Sequence, residues 1–235
     1  GTTSFNLAET LQTPVFVLSD LDLGMNNWMT EPFSYPEEPI NRGKVLTADE
    51  VQEKGFARYK DIDGDGIGYR TLPGNEHPLG AWFARGTGHN EKAVYSEKPE
   101  DWLQNMDRLK RKFETARQMV PAPVVDAVED AKIGIIAYGT TKFAIDEARD
   151  RLAADGTPTS FIRLRALPVN ESVKEFVAQH DRVYVIELNR DGQMHNILQT
   201  EMPGIATKLI SLAYLDGMPL TARWVVEAVL EHEGN

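Results

Sequence analysis

KIGIIAYGTTKFAIDEARDRLAADG, residues 132–156, decides the fold class. Its first eight residues read as a buried strand, apolar and β-branched. The rest reads as a helix that Gly156 closes. The same alternation continues downstream. SFIRLRALP is a strand, and NESVKEFVAQH is a helix with Asn170 as its cap. RVYVIELN is a strand, DGQ a turn, and the stretch 195–220 holds a further strand or helix. TARWVVEAVLEHEG is a final amphipathic helix. Strands alternating with helices of about 10–15 residues predict a parallel-rich sheet with helices on both faces. Residues 125–235 are therefore expected to form a three-layer α/β domain.

Upstream the pattern is looser. Residues 98–120 form a strong predicted helix, with Trp102, Met106, Leu109 and Phe113 on one stripe and Pro121 at its end. PAPVVDAVEDA reads as a linker. Residues 61–97 are rich in glycine and turn residues, and 24–60 are irregular, apart from a short capped helix from Thr47 to Gly55. Residues 4–12 read as a helix and Pro14–Asp20 as a buried strand. GTTSFNLAETLQ looks like the second half of a helix, so the chain is expected to be a piece of a longer protein.

The chain has 235 residues, 41% hydrophobic and 26% charged, and a net charge of -11. That balance opposes nucleic-acid binding, which draws on basic surface. There are no cysteines, so disulfides and cysteine-ligated iron–sulfur clusters are excluded within it. The longest apolar stretches, PVFVL and KIGIIAY, are far short of a membrane span. No signal-peptide pattern is read, and a cytoplasmic location without membrane contact is expected.

DIDGDGIGYRTLPG, residues 61–74, admits three readings. As a calcium loop, Asp61, Asp63, Asp65 and Gly66 fit its first half, but Leu72 stands where a bidentate glutamate belongs. As a thiamine-diphosphate motif, Gly64-Asp65-Gly66 and Asn90 fit a Mg²⁺ site, but no buried strand precedes them. As a plain turn, Asp and Gly suit tight backbone, and Tyr59 and Tyr69 pin it to the body. The turn carries most weight.

Several segments together resemble a known family. PVFVLSDLDLGMNNW (14–28), RYKDIDGDGIGYRTLPG (58–74), GTGHNEKAVYSEKPEDW (86–102), KRKFETA (110–116), YGTTKFAIDEA (138–148) and VYVIELNRDGQ (183–193) are similar to the alpha subunit of 2-oxoacid:ferredoxin oxidoreductases, particularly the 2-oxoglutarate type. The resemblance implies a transketolase-C-terminal-like domain over 125–235. It makes 24–121 an irregular connecting segment and 1–23 the last helix and strand of a pyrimidine-binding domain. Phe5, Leu7, Val15, Phe16 and Val17 would pack against the rest of that domain. The implied reaction is oxidative decarboxylation of a 2-oxoacid with coenzyme A, giving acyl-CoA, CO₂ and reduced ferredoxin. Thiamine diphosphate, Mg and an iron–sulfur cluster serve the full complex, and a beta subunit carries the diphosphate motif. The family's Tyr-Pro-Ile-Thr-Pro signature and thiamine-activating glutamate are not in this sequence. No catalytic, cofactor or metal residue is therefore expected here, and the chain alone is expected to be inactive.

The resemblance also implies that the loop Arg85, Gly86, Thr87, Gly88, His89, Asn90 and Glu91 approaches the substrate pocket at the subunit interface. Arg suits a carboxylate, His titrates near neutrality, and glycine permits close approach. A surface polar cluster explains the same residues equally well. YGTT (138–141) invites an anion at a helix N-terminus, although a capping role for Thr140 or Thr141 suffices. Glu187 is read as a solvated strand end or an interface or pocket carboxylate, and Asn189 and Gln193 as turn residues. Trp28, Phe33 and Tyr35 look like a segment draped over another surface, or equally like plugs of this domain's own core. Two competing classes remain: the C-terminal domain of a transketolase-like or 2-oxoacid dehydrogenase subunit, and an acidic calcium-binding module.

Overall fold

The structure is a computed structural model that describes residues 1–234. Its helices are α1 (Thr2–Leu11), α2 (Leu21–Met25), α3 (Ala48–Lys54), α4 (Pro99–Met119), α5 (Thr141–Ala154), α6 (Glu171–Gln179), α7 (Gln193–Glu201) and α8 (Ala222–Glu233). Its strands are β1 (Val124–Asp126), β2 (Ile133–Tyr138), β3 (Thr159–Leu164), β4 (Arg182–Glu187) and β5 (Leu209–Ala213). They divide into two compact units. One comprises Gly1–Val17 and Glu31–Met119, the other Leu18–Thr30 and the residues from Val120 onward.

The second unit is a three-layer α/β domain. Its sheet runs β1-β3-β2-β4-β5, with β2, β3, β4 and β5 parallel and β1 antiparallel on the edge. Side chains alternate across the strands. Ile133, Ile135 and Ala137 of β2 and Tyr184 and Ile186 of β4 join Ile145, Leu152, Val225 and Val229 of α5 and α8. Ile136, Val183 and Val185 face the other way, onto Val173, Phe176, Val177 and Leu198 of α6 and α7. Both faces are covered, which is why the central strands are apolar throughout. Asn170 caps α6 as expected, accepting from Ser172 N at 3.1 Å. The stretch 195–220 provides both α7 and β5.

Two segments depart from the sequence reading. The predicted linker contains β1, paired with β3 from Val124↔Arg163 to Asp126↔Phe161. Its three residues are exposed and preceded by Pro121 and Pro123, so no periodicity marks them. Pro14–Asp20 forms no strand. Phe16, Val17 and Leu18 are 83%, 73% and 90% exposed. A strand requires a partner ladder, and this segment pairs with neither β1 nor β5.

The first unit has little regular structure and a small core of Leu7, Leu11, Ile67 and Ala116, with Val15 against it. Leu7 and Val15 thus pack within the chain itself, while Phe5 and Phe16 stay exposed. The acidic loop is fastened to α4. Asp61 accepts from Gly64 N at 3.0 Å and pairs with Arg111 at 2.9 Å. The Asp65 carbonyl accepts from the Thr115 hydroxyl at 2.8 Å. Lys44 Nζ lies 2.6 Å from Asp63 and 2.7 Å from Asp65. An ammonium therefore stands where the calcium reading would put a cation. Among the described residues no group of three His, Cys, Asp or Glu can hold a metal ion.

Gly66 shows why glycine is needed in this loop. Its φ is +79°, and a Cβ there would lie 2.2 Å from Lys112 N and 2.5 Å from Arg108 O. Those atoms belong to the α4 backbone and cannot yield like a side chain. Gly66→Ala is expected to cost about 3 kcal/mol or more, from strain plus overpacking, and to lower the melting temperature. Calcium at millimolar concentration is expected to leave that temperature unchanged. An upward shift would restore the calcium reading.

Candidate functional site

The loop singled out in the sequence, residues 85–91, is a closed turn in the first unit. Asn90 organises it. Its side-chain oxygen accepts from Lys92 N at 3.0 Å and Val94 N at 3.2 Å, and its backbone N–H donates to Val94 O at 2.9 Å. His89 bridges to Tyr95, its Nδ1 lies 2.8 Å from Thr87 O, and its carbonyl accepts from Asn105 of α4 at 2.6 Å. Its ring packs on Tyr59 at 4.1 Å between centroids, and Glu91 O accepts from Tyr59 N at 2.8 Å. Arg85 turns back onto the loop: Nε donates to Ala93 O at 2.9 Å, and the guanidinium lies 5.6 Å from the Phe83 ring.

The two glycines of GTG differ. At Gly88 a Cβ would come within 2.5 Å of Ser96 O, so the close approach there is to the chain's own backbone. Gly86 has open space around it. Thr87 and Gly88 line one side of a groove of about 570 Å³, with Tyr95, Trp102 and Leu103 across from them. Arg85, His89 and Asn90 are committed to holding the loop; Gly86 and Thr87 are its exposed residues.

In the second unit, the carboxyl ends of β2 and β4 flank the point where the strand order reverses. An open α/β sheet ordinarily takes its ligand there. Two helix N-termini open at this end, and each is met by a carboxylate from the chain. Asp20 accepts from Thr140 N at 3.0 Å and Thr140 Oγ1 at 2.7 Å at the start of α5, and from Leu23 N at 2.8 Å. Glu187, fully buried, accepts from Met194 N at 2.8 Å and His195 N at 3.0 Å at the start of α7. Asn189 Nδ2 donates to Glu187 at 2.5 Å, and the Tyr138 hydroxyl at 3.3 Å. Burial pushes the Tyr138 phenol up to about 12, and the adjacent Glu187 charge adds to the effect. Glu187 is thus neither a solvated strand end nor a pocket carboxylate. Trp28 stacks on Phe143 of α5 at 5.1 Å and 17°, within the same unit as Asp20.

No family model matches the chain. Two curated relatives from Aeropyrum pernix match almost all of it. The alpha subunit of 2-oxoacid:ferredoxin oxidoreductase 2 is 28% identical over 233 residues, 96% of this chain. That of 2-oxoacid:ferredoxin oxidoreductase 1 is 29% identical over 240 residues, 97% of this chain. The solved 2-oxoglutarate:ferredoxin oxidoreductase from Magnetococcus marinus superposes over 96% of the chain with a TM-score of 0.79 and 27% identity.

The chain is similar to 2-oxoacid:ferredoxin oxidoreductase alpha subunits along almost its whole length.

It spans about a third of the length of those curated relatives, 35% in each case, and 38% of the Magnetococcus chain. The YGTT turn that invited an anion is filled internally, by the Asp20 carboxylate. The sequence held no signal for this, because Asp20 and Thr140 lie 120 positions apart. Glu187 was singled out, but its role emerges only from the fold.

Two outcomes test these internal anions. Glu187→Gln replaces one acceptor oxygen by an NH₂ that faces an N–H donor, and is expected to destabilise by about 2–3 kcal/mol. Denaturant midpoints measure it. Burial works against ionised Asp20, but its hydrogen bonds from Leu23 N and Thr140 outweigh that and lower its pKa. Its contribution is therefore present above the unfolded value of about 3.9 and lost as pH falls through the folded value. Asp20→Asn is expected to cost about 1 kcal/mol or less near neutrality, since the group is exposed and screened. The difference in melting temperature should close below about pH 4.

Proposed function

We propose that the chain is a structural and subunit-contacting part of the alpha subunit of a thiamine-diphosphate-dependent 2-oxoacid:ferredoxin oxidoreductase. The similarity along 96–97% of the chain carries the reading. The superposed Magnetococcus enzyme, which holds 2-oxoglutarate, coenzyme A and succinyl-CoA, supports 2-oxoglutarate as substrate and acyl-CoA, CO₂ and reduced ferredoxin as products. Thiamine diphosphate would stabilise the carbanion formed on decarboxylation, and an iron–sulfur cluster would take the electrons. With no cysteine in this sequence, the cluster belongs to other polypeptide, as do thiamine diphosphate and its Mg. The beta subunit is the proposed partner, with ferredoxin and coenzyme A acting on the assembled complex in the cytoplasm. The division into 1–23, 24–121 and 125–235 is part of the same proposal.

In this reading the GTG turn, with Gly86 and Thr87 exposed, approaches the substrate pocket, and Arg85 shapes it. The chain alone is inactive. In the assembled enzyme, Arg85→Ala is expected to raise KM for the oxoacid about tenfold. Unchanged kinetics would remove Arg85 from the site. The deciding experiment is anaerobic purification of the native gene product, with assays for thiamine diphosphate, iron and a second subunit. Arrival of all three supports the proposal. A chain that purifies alone, without cofactor or iron, sinks it.

A further inference from the structure

Arg58, Arg108 and Lys112 gather in the first unit without a neutralising acid. Among the described residues none of the three has a carboxylate within ion-pair distance. Asp61, the acid that acts on Arg108, is already paired with Arg111 at 2.9 Å. The Arg58 guanidinium lies 5.1 Å from the Tyr59 ring and 4.6 Å from the Trp82 ring, and that of Arg108 lies 5.5 Å from Tyr59. Nε of both arginines is buried without a hydrogen-bond partner. In a chain with a net charge of -11, cations are easily paired, so leaving three unpaired together is unusual.

Pinning loops explains part of the group. Arg108 donates to Gly66 O at 3.1 Å and Lys112 to Gln12 O at 3.2 Å. Each uses one of several donors. Arg58 has no comparable duty: its side chain forms no hydrogen bond to the described residues. Burial holds all three below their ordinary pKa. Arg70 and Arg108 add to this at Arg58, Arg111 adds to it at Arg108, and Arg108 and Arg58 add to it at Lys112. Half-burial of uncompensated cations is costly. Aromatic packing fixes the guanidinium planes, leaving the N–H edge of Arg58 unused and that of Arg108 only partly used, on Gly66 O. All three side chains remain partly exposed and thus within reach of a ligand.

We propose that Arg58, Arg108 and Lys112 bind a small, multiply charged oxyanion, the phosphate or carboxylate group of a small molecule. The inference does not rest on the oxidoreductase reading. Isothermal titration of the full chain at low chloride, with orthophosphate, pyrophosphate and succinate as probes, tests it. Saturable binding of at least one is expected, weakened about tenfold in both Arg58→Ala and Lys112→Gln. Arg58→Lys should recover only part of the affinity, because it keeps charge and loses the planar fork. Circular dichroism establishes that each variant is folded, and Lys112→Gln carries the test if Arg58→Ala is not. Tighter binding of the phosphates would assign a phosphate-bearing ligand, and tighter binding of succinate a dicarboxylate. No saturable heat overturns the proposal. So does equal affinity in folded variants, which marks an adventitious ion only. Binding of hexaglutamate but none of the small probes overturns it in favour of an acidic protein segment.

Discussion

The carboxylate of Glu187 stands at the carboxyl end of β4, out of reach of solvent, and answers the backbone N–H groups that open α7. A lone buried carboxylate would cost several kcal/mol. Here Met194 N, His195 N, Asn189 and the Tyr138 hydroxyl share its charge. The arrangement couples four parts of the domain: β2 through Tyr138, β4 through Glu187, the turn through Asn189, and α7 through its first N–H groups. Asp20 does related work at α5. Both helix N-termini at this end of the sheet therefore meet negative charge supplied from within. The crevice where an α/β sheet would receive an anion is answered by the chain itself.

The first unit solves a different problem. It has few helices and a small core, so many backbone carbonyls lack ladder partners. Cationic and amide side chains take that role: Arg108 at Gly66 O, Lys112 at Gln12 O, Arg85 at Ala93 O and Asn105 at His89 O. Buried backbone groups must find donors somewhere, and here long side chains from α4 supply several. Glycines then let loops lie directly on their neighbours, Gly66 on α4 and Gly88 on Ser96. Local polar contacts of this kind give way cooperatively, so one misplaced Cβ can unseat the whole acidic loop.

The sequence by itself determined the α/β class and the order of strands and helices from residue 132 onward. Those elements follow from local periodicity and caps: the apolar runs of β2, β3 and β4 and Asn170 at the start of α6. It also carried the family resemblance, because long glycine- and aromatic-rich segments are distinctive as strings. Tertiary structure decided the rest. The segment Pro14–Asp20 reads as a strand by composition, yet strands exist only when a neighbouring ladder accepts them. β1 reads as linker, yet the free edge of β3 recruits it. Glu187 looks like any strand-end acid until α7 folds over it. Asp20 and Thr140 meet across 120 positions, and Arg58, Arg108 and Lys112 converge on one another only when α4 lies against the glycine-rich loop. Local propensity acts over a few residues, whereas charge compensation depends on which distant segments are brought within about 4 Å. That is why the architecture was legible in the sequence and the fate of each charge was not.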